Sequence, residues 1–276
     1  MKRCVLAVWS FLFVSQSIAQ PTADAWIEPL TSMPFVKVGT GCYRMGTDVT
    51  PFRLGSQALR EVGYTADSAA DEKPQHEVCL TAFWIGRYEV RAEEWLRVMQ
   101  TAPPGGGGQE PASGITWRAA VEFAERLTAQ STDKSIYRLP TEAEWEIACL
   151  AASPQEKSKK QPGRAASGQV PESLELFSGH MAVKPRVAGS MKPNGWGLHD
   201  MLGNVWEWVQ DVYDPAAYKR HGLYDPVRTG PAGPRVIRGG SHRSESHHLR
   251  CANRGAYAEA DALPTIGFRL VRQERP

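Results

Sequence analysis

Residues 194–208 read NGWGLHDMLGNVWEW and place three tryptophans and three glycines within one short stretch. A second stretch, YRLPTEAEWE at 137–146, contains a capping box. Thr141 is expected to cap a helix that runs to about Ala151, with the Glu144 side chain reaching back to the Thr141 backbone. The shorter stretches RVIRGGS at 235–241 and GFRL at 267–270 complete the set.

The composition is typical of a globular, turn-rich protein. The chain has 276 residues, of which 42% are hydrophobic and 22% are charged, so wholesale disorder is excluded. Its 25 glycines, 20 prolines and 9 tryptophans indicate a fold of tight turns packed on aromatic side chains, and not a helical bundle. The net charge of +2 lacks the basic surplus of a general nucleic-acid-binding protein.

The N-terminus has the pattern of a secretory signal peptide. Lys2 and Arg3 precede an apolar run at 5–14, and the small residues at 17–19 suit cleavage after Ala19. The run is about half the length that a transmembrane helix needs. We therefore expect residues 1–19 to be removed and the mature chain, without a transmembrane segment, to be periplasmic.

Cleavage would leave four cysteines, and an even number in an oxidising compartment favours two disulfides over metal binding. No C-x-x-C pattern occurs. The four are Cys42, Cys79, Cys149 and Cys251.

The mature chain is interpreted as one domain, residues 20–276. Short strands are expected in 35–48 and 71–90, and helices in 92–100 and after Thr116. Residues 153–173 are polar and lack aromatic side chains, which indicates a solvated, mobile loop.

In their order along the chain, 137–146, 194–208, 235–241 and 267–270, these four stretches resemble the formylglycine-generating enzyme family, also called the sulfatase-modifying factor family. The resemblance extends from about Phe35 to Val271. It implies a single compact α+β domain related to C-type lectins, with little regular secondary structure.

The resemblance implies that this chain has the fold of the family but lacks its catalytic activity. Family enzymes oxidise a sulfatase cysteine to formylglycine with two cysteines, five residues apart after the Gly-Gly-Ser, that bind copper(I). Here residues 241–251 read SHRSESHHLRC, with Ser244 or a neighbour at the first position and no second cysteine. Cys251 resembles a structural cysteine of the family whose partner would be Cys149, and Cys42 with Cys79 then form the second expected pair.

The resemblance also implies a structural calcium ion. Its carbonyl ligands would come from Leu202, Gly203 and Val205. The carboxylate of Glu207 would complete the set, with Asn204 adjacent, and oxygen ligands of this kind suit Ca²⁺. In the alternative interpretation, Glu207 pairs with an arginine such as Arg269.

Trp208 and Ser241 match positions that line the substrate cleft of the family. The same region carries three loop histidines: His242, His247 and His248. We expect these five residues to bind a protein partner. The alternatives are that Trp208 and Ser241 are retained for packing, and that the histidines, beside Glu245, bind a transition metal or are simply solvated.

Two functions follow from the resemblance. In the first, the chain is a non-catalytic exported regulator, similar to family members that promote activation of a membrane Ser/Thr kinase in type VI secretion. Its partner would be the periplasmic domain of that kinase, through which it could associate with the membrane. In the second, it is a divergent periplasmic oxidoreductase that acts on a secreted metabolite or siderophore precursor.

Overall fold

The computed structural model describes residues 25–48, 66–151, 183–230, 233–245 and 248–275. The predicted signal peptide 1–19, the polar segment 153–173 and His247 lie outside the described residues. The described part has three α-helices: α1 Ala92–Met99, α2 Trp117–Gln130 and α3 Glu142–Leu150. No described helix is long and apolar enough to cross a membrane.

Eleven short strands are present among the described residues. They are β1 Ala25–Ile27, β2 Pro34–Val38, β3 Gly41–Met45, β4 His76–Leu80, β5 Phe83–Gly86, β6 Ile136–Arg138, β7 Trp206–Val212, β8 Arg235–Arg238, β9 Arg254–Tyr257, β10 Ile266–Gly267 and β11 Val271–Gln273. Two short 3₁₀ segments, Ala66–Glu72 and Ala217–Lys219, add to them. This is the predicted mixed α+β fold with little regular structure.

The helices begin where side chains satisfy their first backbone N–H groups. The Thr141 hydroxyl accepts a hydrogen bond from the Glu144 N–H at 3.1 Å, and the Glu144 carboxylate accepts one from the Thr141 N–H at 2.8 Å. The predicted capping box of α3 is therefore confirmed. At α2, the Thr116 hydroxyl accepts from the Ala119 N–H at 3.1 Å.

The strands form three sheets, and the largest joins both ends of the chain. Its order is β1-β2-β5-β11-β6, so β11 near the C-terminus lies between two strands from the first half. The second sheet has the order β10-β7-β8-β9, with β10 and β7 parallel. Strands β3 and β4 form a separate pair. Strands β4 and β5 are neighbours in sequence but lie in different sheets.

Aromatic side chains fill the space between helices and sheets. Trp95 of α1 stacks on Phe123 of α2, with ring centroids 5.4 Å apart, and both contact Phe268. Trp145 of α3 and Trp208 of β7 are completely buried. These anchors provide the apolar burial that the short strands could not supply alone.

Both expected disulfides are present. Cys42 and Cys79 are directly opposed in the β3–β4 pair, with Cα atoms 3.9 Å apart. Cys149 at the end of α3 is bonded to Cys251, 102 residues later, with Cα atoms 5.6 Å apart. The second bond fixes the segment that follows Gly240 against α3.

Candidate functional site

The candidate site is organised around Asn204, in the turn before β7. Its φ of 58° is left-handed, a conformation that asparagine tolerates better than most residues. Its side-chain oxygen accepts a hydrogen bond from the Arg186 N–H at 2.9 Å. Its backbone oxygen accepts from the His242 N–H and contacts His242 Nδ1, both at 2.8 Å. One residue therefore joins the segments around 186 and 242.

Glu207 follows this turn in β7, and its carboxylate faces protein donors. Arg269 donates from Nε and Nη2 to the two carboxylate oxygens, each at 2.7 Å. The indole Nε1 of Trp145 donates to the same carboxylate at 2.7 Å. Both charged side chains are at most 1% exposed. The alternative interpretation of Glu207, pairing with Arg269, is the one that the structure contains.

A second carboxylate, that of Glu89, acts electrostatically on the same cluster as Glu207. Glu89 is 1% exposed, and neither of its carboxylate oxygens accepts a hydrogen bond from the residues that the structure describes. Burial raises the pKa of Glu89 well above its usual range, and the negative charges of Asp200 and Glu207 raise it further. Arg269 is the cation that opposes them there. An unpaired buried carboxylate is costly unless a cation compensates it.

Arg269 and Trp145 occupy both oxygens of Glu207, so other oxygen donors would have to hold a Ca²⁺ at this turn. Backbone carbonyls of the 202–205 turn and the unpartnered Glu89 carboxylate are hard oxygen donors. Within the described ranges, no three His, Cys, Asp or Glu side chains converge on one metal position. A site here would therefore depend on backbone oxygens, with Glu89 as its free carboxylate. The sequence pattern did not indicate Glu89, because it lies 118 positions before Glu207.

The structure contradicts the prediction that Trp208 binds a protein partner. Its side chain is 0% exposed, and its Nε1 donates to the Ile115 carbonyl at 2.7 Å. Ser241 is also buried, at 3% exposure, and its hydroxyl accepts from the Arg243 N–H at 3.2 Å. The alternative interpretation, retention for packing, fits both residues.

The described loop histidines are half-buried. Burial lowers the pKa of His242 and of His248 below the usual histidine value. Burial therefore favours the neutral imidazole form of both side chains. His242 lies at the surface beside Asn204, and Arg243 next to it is exposed. Of the four predicted partner-binding residues that the structure describes, His242 contacts Asn204 through its backbone N–H and its Nδ1.

The motifs also contribute a buried ionic network that sequence analysis missed. Arg238 is 0% exposed and pairs with Glu146 at 2.5 Å and with Glu142 at 3.3 Å. Arg254 donates to both oxygens of Glu142, at 2.7 and 2.9 Å. Glu142 and Glu146, four positions apart in YRLPTEAEWE, are the part of the sequence that could have indicated it. The network joins α3 to strands β8 and β9.

The segment that would carry catalytic thiols has none available. Residues 241–250 contain no cysteine, and Cys251 is bonded to Cys149. Four of the five cysteines are in disulfides, and Cys4 lies outside the described residues.

Comparisons with known proteins identify the family. Residues 31–274 match the model of the sulfatase-modifying factor enzyme 1-like domain. The chain is 30% identical over 237 residues to the formylglycine-generating enzyme of Streptomyces coelicolor, covering 79% of this chain and 69% of that one. It is 29% identical over 240 residues to the serine/threonine-protein kinase pkn1 of Chlamydia pneumoniae. That match covers 75% of this chain but only 36% of the kinase.

Solved structures share the fold at lower sequence identity. PvdO from Pseudomonas aeruginosa superposes with a TM-score of 0.67 at 23% identity, over 90% of this chain and 97% of that one. Treponema denticola variable protein 1 superposes with a TM-score of 0.61 at 21% identity, over 91% of this chain and 98% of that one. With the family match over most of its length and the predicted motifs in place, the chain belongs to the sulfatase-modifying factor family.

Proposed function

We propose that this protein is a non-catalytic exported regulator that binds and promotes activation of a membrane Ser/Thr kinase. The observation that carries the proposal is the absence of cysteine from residues 241–250, together with the Cys149–Cys251 bond. Copper(I) chemistry of the family type needs thiolate ligands that also supply electrons. A serine hydroxyl at position 244 supplies neither.

The kinase partner is supported by the relatives. A protein named serine/threonine-protein kinase pkn1 contains a region similar to this chain, and about two thirds of that protein lies outside the match. We infer from this that the similar region in the present protein acts on a kinase that is a separate chain. Under this proposal the partner is the periplasmic domain of a type VI secretion kinase.

The proposal includes a structural Ca²⁺ at the 202–207 turn. Supporting it are the unpartnered Glu89 carboxylate and the excess of negative charge around it, since Asp200 and Glu207 are opposed by Arg269 alone among the charges that act on it. The ion would neutralise Glu89 and brace the turn that carries Asn204. Its binding would stabilise the folded state only.

Catalysis is tested with a sulfatase-motif peptide, copper(I) and oxygen, followed by mass spectrometry. The Streptomyces coelicolor formylglycine-generating enzyme serves as the positive control. We expect formylglycine from the control and unchanged cysteine with this protein. Turnover, or stoichiometric copper or iron in the purified protein, would contradict the proposal and favour the oxidoreductase.

Partner binding is tested with the purified periplasmic domain of the Ser/Thr kinase encoded in the same genome. Biolayer interferometry should detect a complex, and kinase autophosphorylation in proteoliposomes should rise when the mature chain is added. A kinase that neither binds nor responds would contradict the kinase proposal.

A further inference from the structure

A strip of basic and apolar side chains lies beside the Asn204 turn. It comprises residues 183–192, VKPRVAGSMK, and the adjoining Arg243. Two of its valines are unusually accessible, since Val183 is 86% exposed and Val187 is 47% exposed. Its exposed cations are Lys184, Arg186, Lys192 and Arg243.

The strip backbone is fixed by buried polar groups. The Asp200 carboxylate, 2% exposed, accepts hydrogen bonds from the Gly189 and Met191 N–H groups. His199 Nδ1 contacts the Met191 carbonyl at 2.7 Å. Gly189, at φ 89°, lies against the Tyr88 ring, where a β-carbon would approach to 2.7 Å. The segment cannot shift without breaking these contacts.

Asn204 joins the strip to the loop after Gly240. It holds the Arg186 backbone on one side and the His242 backbone on the other. Arg243 adds a direct link, because its Nη2 donates to the Val183 carbonyl at 3.3 Å. The strip and the 242–243 loop therefore form one surface.

The charge on this surface is one-sided. Residues 183–192 contain three exposed cations and no acidic residue, and Arg243 adds a fourth exposed cation. The Asp200 carboxylate that holds the strip backbone is buried, and Glu245, two positions after Arg243, is exposed. Glu110 is paired with Lys184 at 2.7 Å. Elsewhere in the chain, acidic and basic residues are nearly balanced. Complementary charge steers association and fixes orientation, while an apolar contact at the centre supplies affinity.

We propose that this strip is the docking surface of the protein, and that its partner presents an acidic protein segment with an apolar side chain among the carboxylates. The partner carboxylates would pair with Arg186, Lys192 and Arg243, and the apolar side chain would contact Val187. Because the strip is already ordered, binding costs little conformational entropy on this side. The inference rests on the proposed binding function and moves the contact surface from buried Trp208 to the strip.

The first experiment uses fluorescence anisotropy with a labelled peptide in which glutamates flank one leucine. A peptide with glutamine for every glutamate is the matched control. We expect the acidic peptide to bind and the glutamine peptide not to bind. Affinity should fall steeply with added salt, since exposed charges are screened. Equal binding of the two peptides would overturn the proposal, as would binding to anionic vesicles or DNA without binding to the acidic peptide.

Variants locate the contact. The double variant Arg186→Glu/Arg243→Glu should lose about tenfold or more in affinity, as expected when two contact charges are reversed. Lys219→Glu changes an exposed lysine outside the strip and should bind as the wild type does. Arg186→Glu alone provides a milder change should the double variant melt early. Equal losses in Lys219→Glu and the strip variants would overturn the assignment.

The kinase domain separates this inference from the function on which it rests. Kinase binding that survives Arg186→Glu/Arg243→Glu would overturn the strip and leave the regulator proposal standing. Strip-dependent peptide binding without any kinase binding would support the strip as a docking surface and contradict the regulator proposal.

Discussion

Glu207 and Arg269 form an enclosed bidentate ion pair, with two N–O distances of 2.7 Å. Arg269 also donates to the carbonyls of Gly86 and His199, both at 2.9 Å. The pair thus joins β7, β5 and the loop before β7 through one guanidinium. It places an acidic motif residue in the protein interior, where removal of either partner leaves a buried charge.

Replacing Glu207 should destabilise the protein severely. Glu207→Ala leaves the Arg269 guanidinium buried without its counter-ion, and such changes cost about 3–5 kcal/mol. The free energy of unfolding in urea measures the loss. Glu122→Ala is the control, because Glu122 is 49% exposed and pairs with Arg126 one helical turn away. Exposed pairs contribute at most about 1 kcal/mol, so similar losses in the two variants would contradict the prediction.

Glu89→Gln should separate the effect of calcium from that of the buried charge. Without calcium, the variant removes an unpartnered carboxylate and should melt at or above the wild-type temperature. With calcium, the wild type should gain about 2.7 kcal/mol at a hundredfold excess over Kd. The variant should gain much less, because its amide is a weaker ligand.

Differential scanning fluorimetry with EGTA and with CaCl₂ measures both effects. Glu122→Gln should respond to calcium as the wild type does. A wild-type melting temperature that is the same with chelator and with calcium would contradict the calcium proposal.

The free energy of unfolding should decrease as the pH rises from about 4.5 to about 7, in part because of Glu94. Burial raises its pKa to about 7, although the Arg91 N–H and the arginines nearby oppose the shift. Between the unfolded and folded pKa values the folded state holds the extra proton, so raising the pH favours unfolding. One such group contributes a slope of up to about 1.4 kcal/mol per pH unit.

Glu94→Gln should flatten this slope and keep the α1 cap. Its side-chain oxygen can still accept from the Arg91 N–H, a contact that measures 2.8 Å in the wild type. Urea unfolding at several pH values measures the slope. Asp211, whose pKa burial also raises to about 7, should maintain a residual slope in the variant. An unchanged slope would contradict the assignment.

Trp208→Ala should act on stability and not specifically on partner binding. Truncating a completely buried tryptophan costs about 3–5 kcal/mol and also leaves the Ile115 carbonyl without its donor. Leu223→Ala, at a residue that is 41% exposed, should change the unfolding free energy far less. A Trp208→Ala protein with wild-type stability would show that this side chain is not a core residue.

The two disulfides should contribute unequally. In the chain-entropy model, the bond between Cys149 and Cys251 adds about 5 kcal/mol, and the bond between Cys42 and Cys79 about 4 kcal/mol, before any strain. Paired alanine variants measured by urea unfolding give the two losses. A larger loss for the shorter loop would contradict the entropic ranking.

Local features could be read from the sequence because neighbouring residues determine them. The α3 cap depends on Thr141 and Glu144, three positions apart, and the structure has it as predicted. The motif order predicted the family and its mixed, turn-rich fold. With the family resemblance, the four cysteines after Ala19 predicted both disulfide pairs.

Burial and charge pairing were decided only in the tertiary structure, because their partners are distant in sequence. Trp208 is buried by contacts that include Ile115, 93 residues earlier. The sequence left Glu207 open to a calcium ion or to an arginine, and in the structure Arg269, 62 residues later, lies against it. Glu89 was not predicted at all, since a lone carboxylate in RYEV becomes informative only when it is enclosed beside Asp200 and Glu207. Sequence periodicity reports which local structure a segment forms, whereas the electrostatic cost of a buried charge depends on what the rest of the chain places around it.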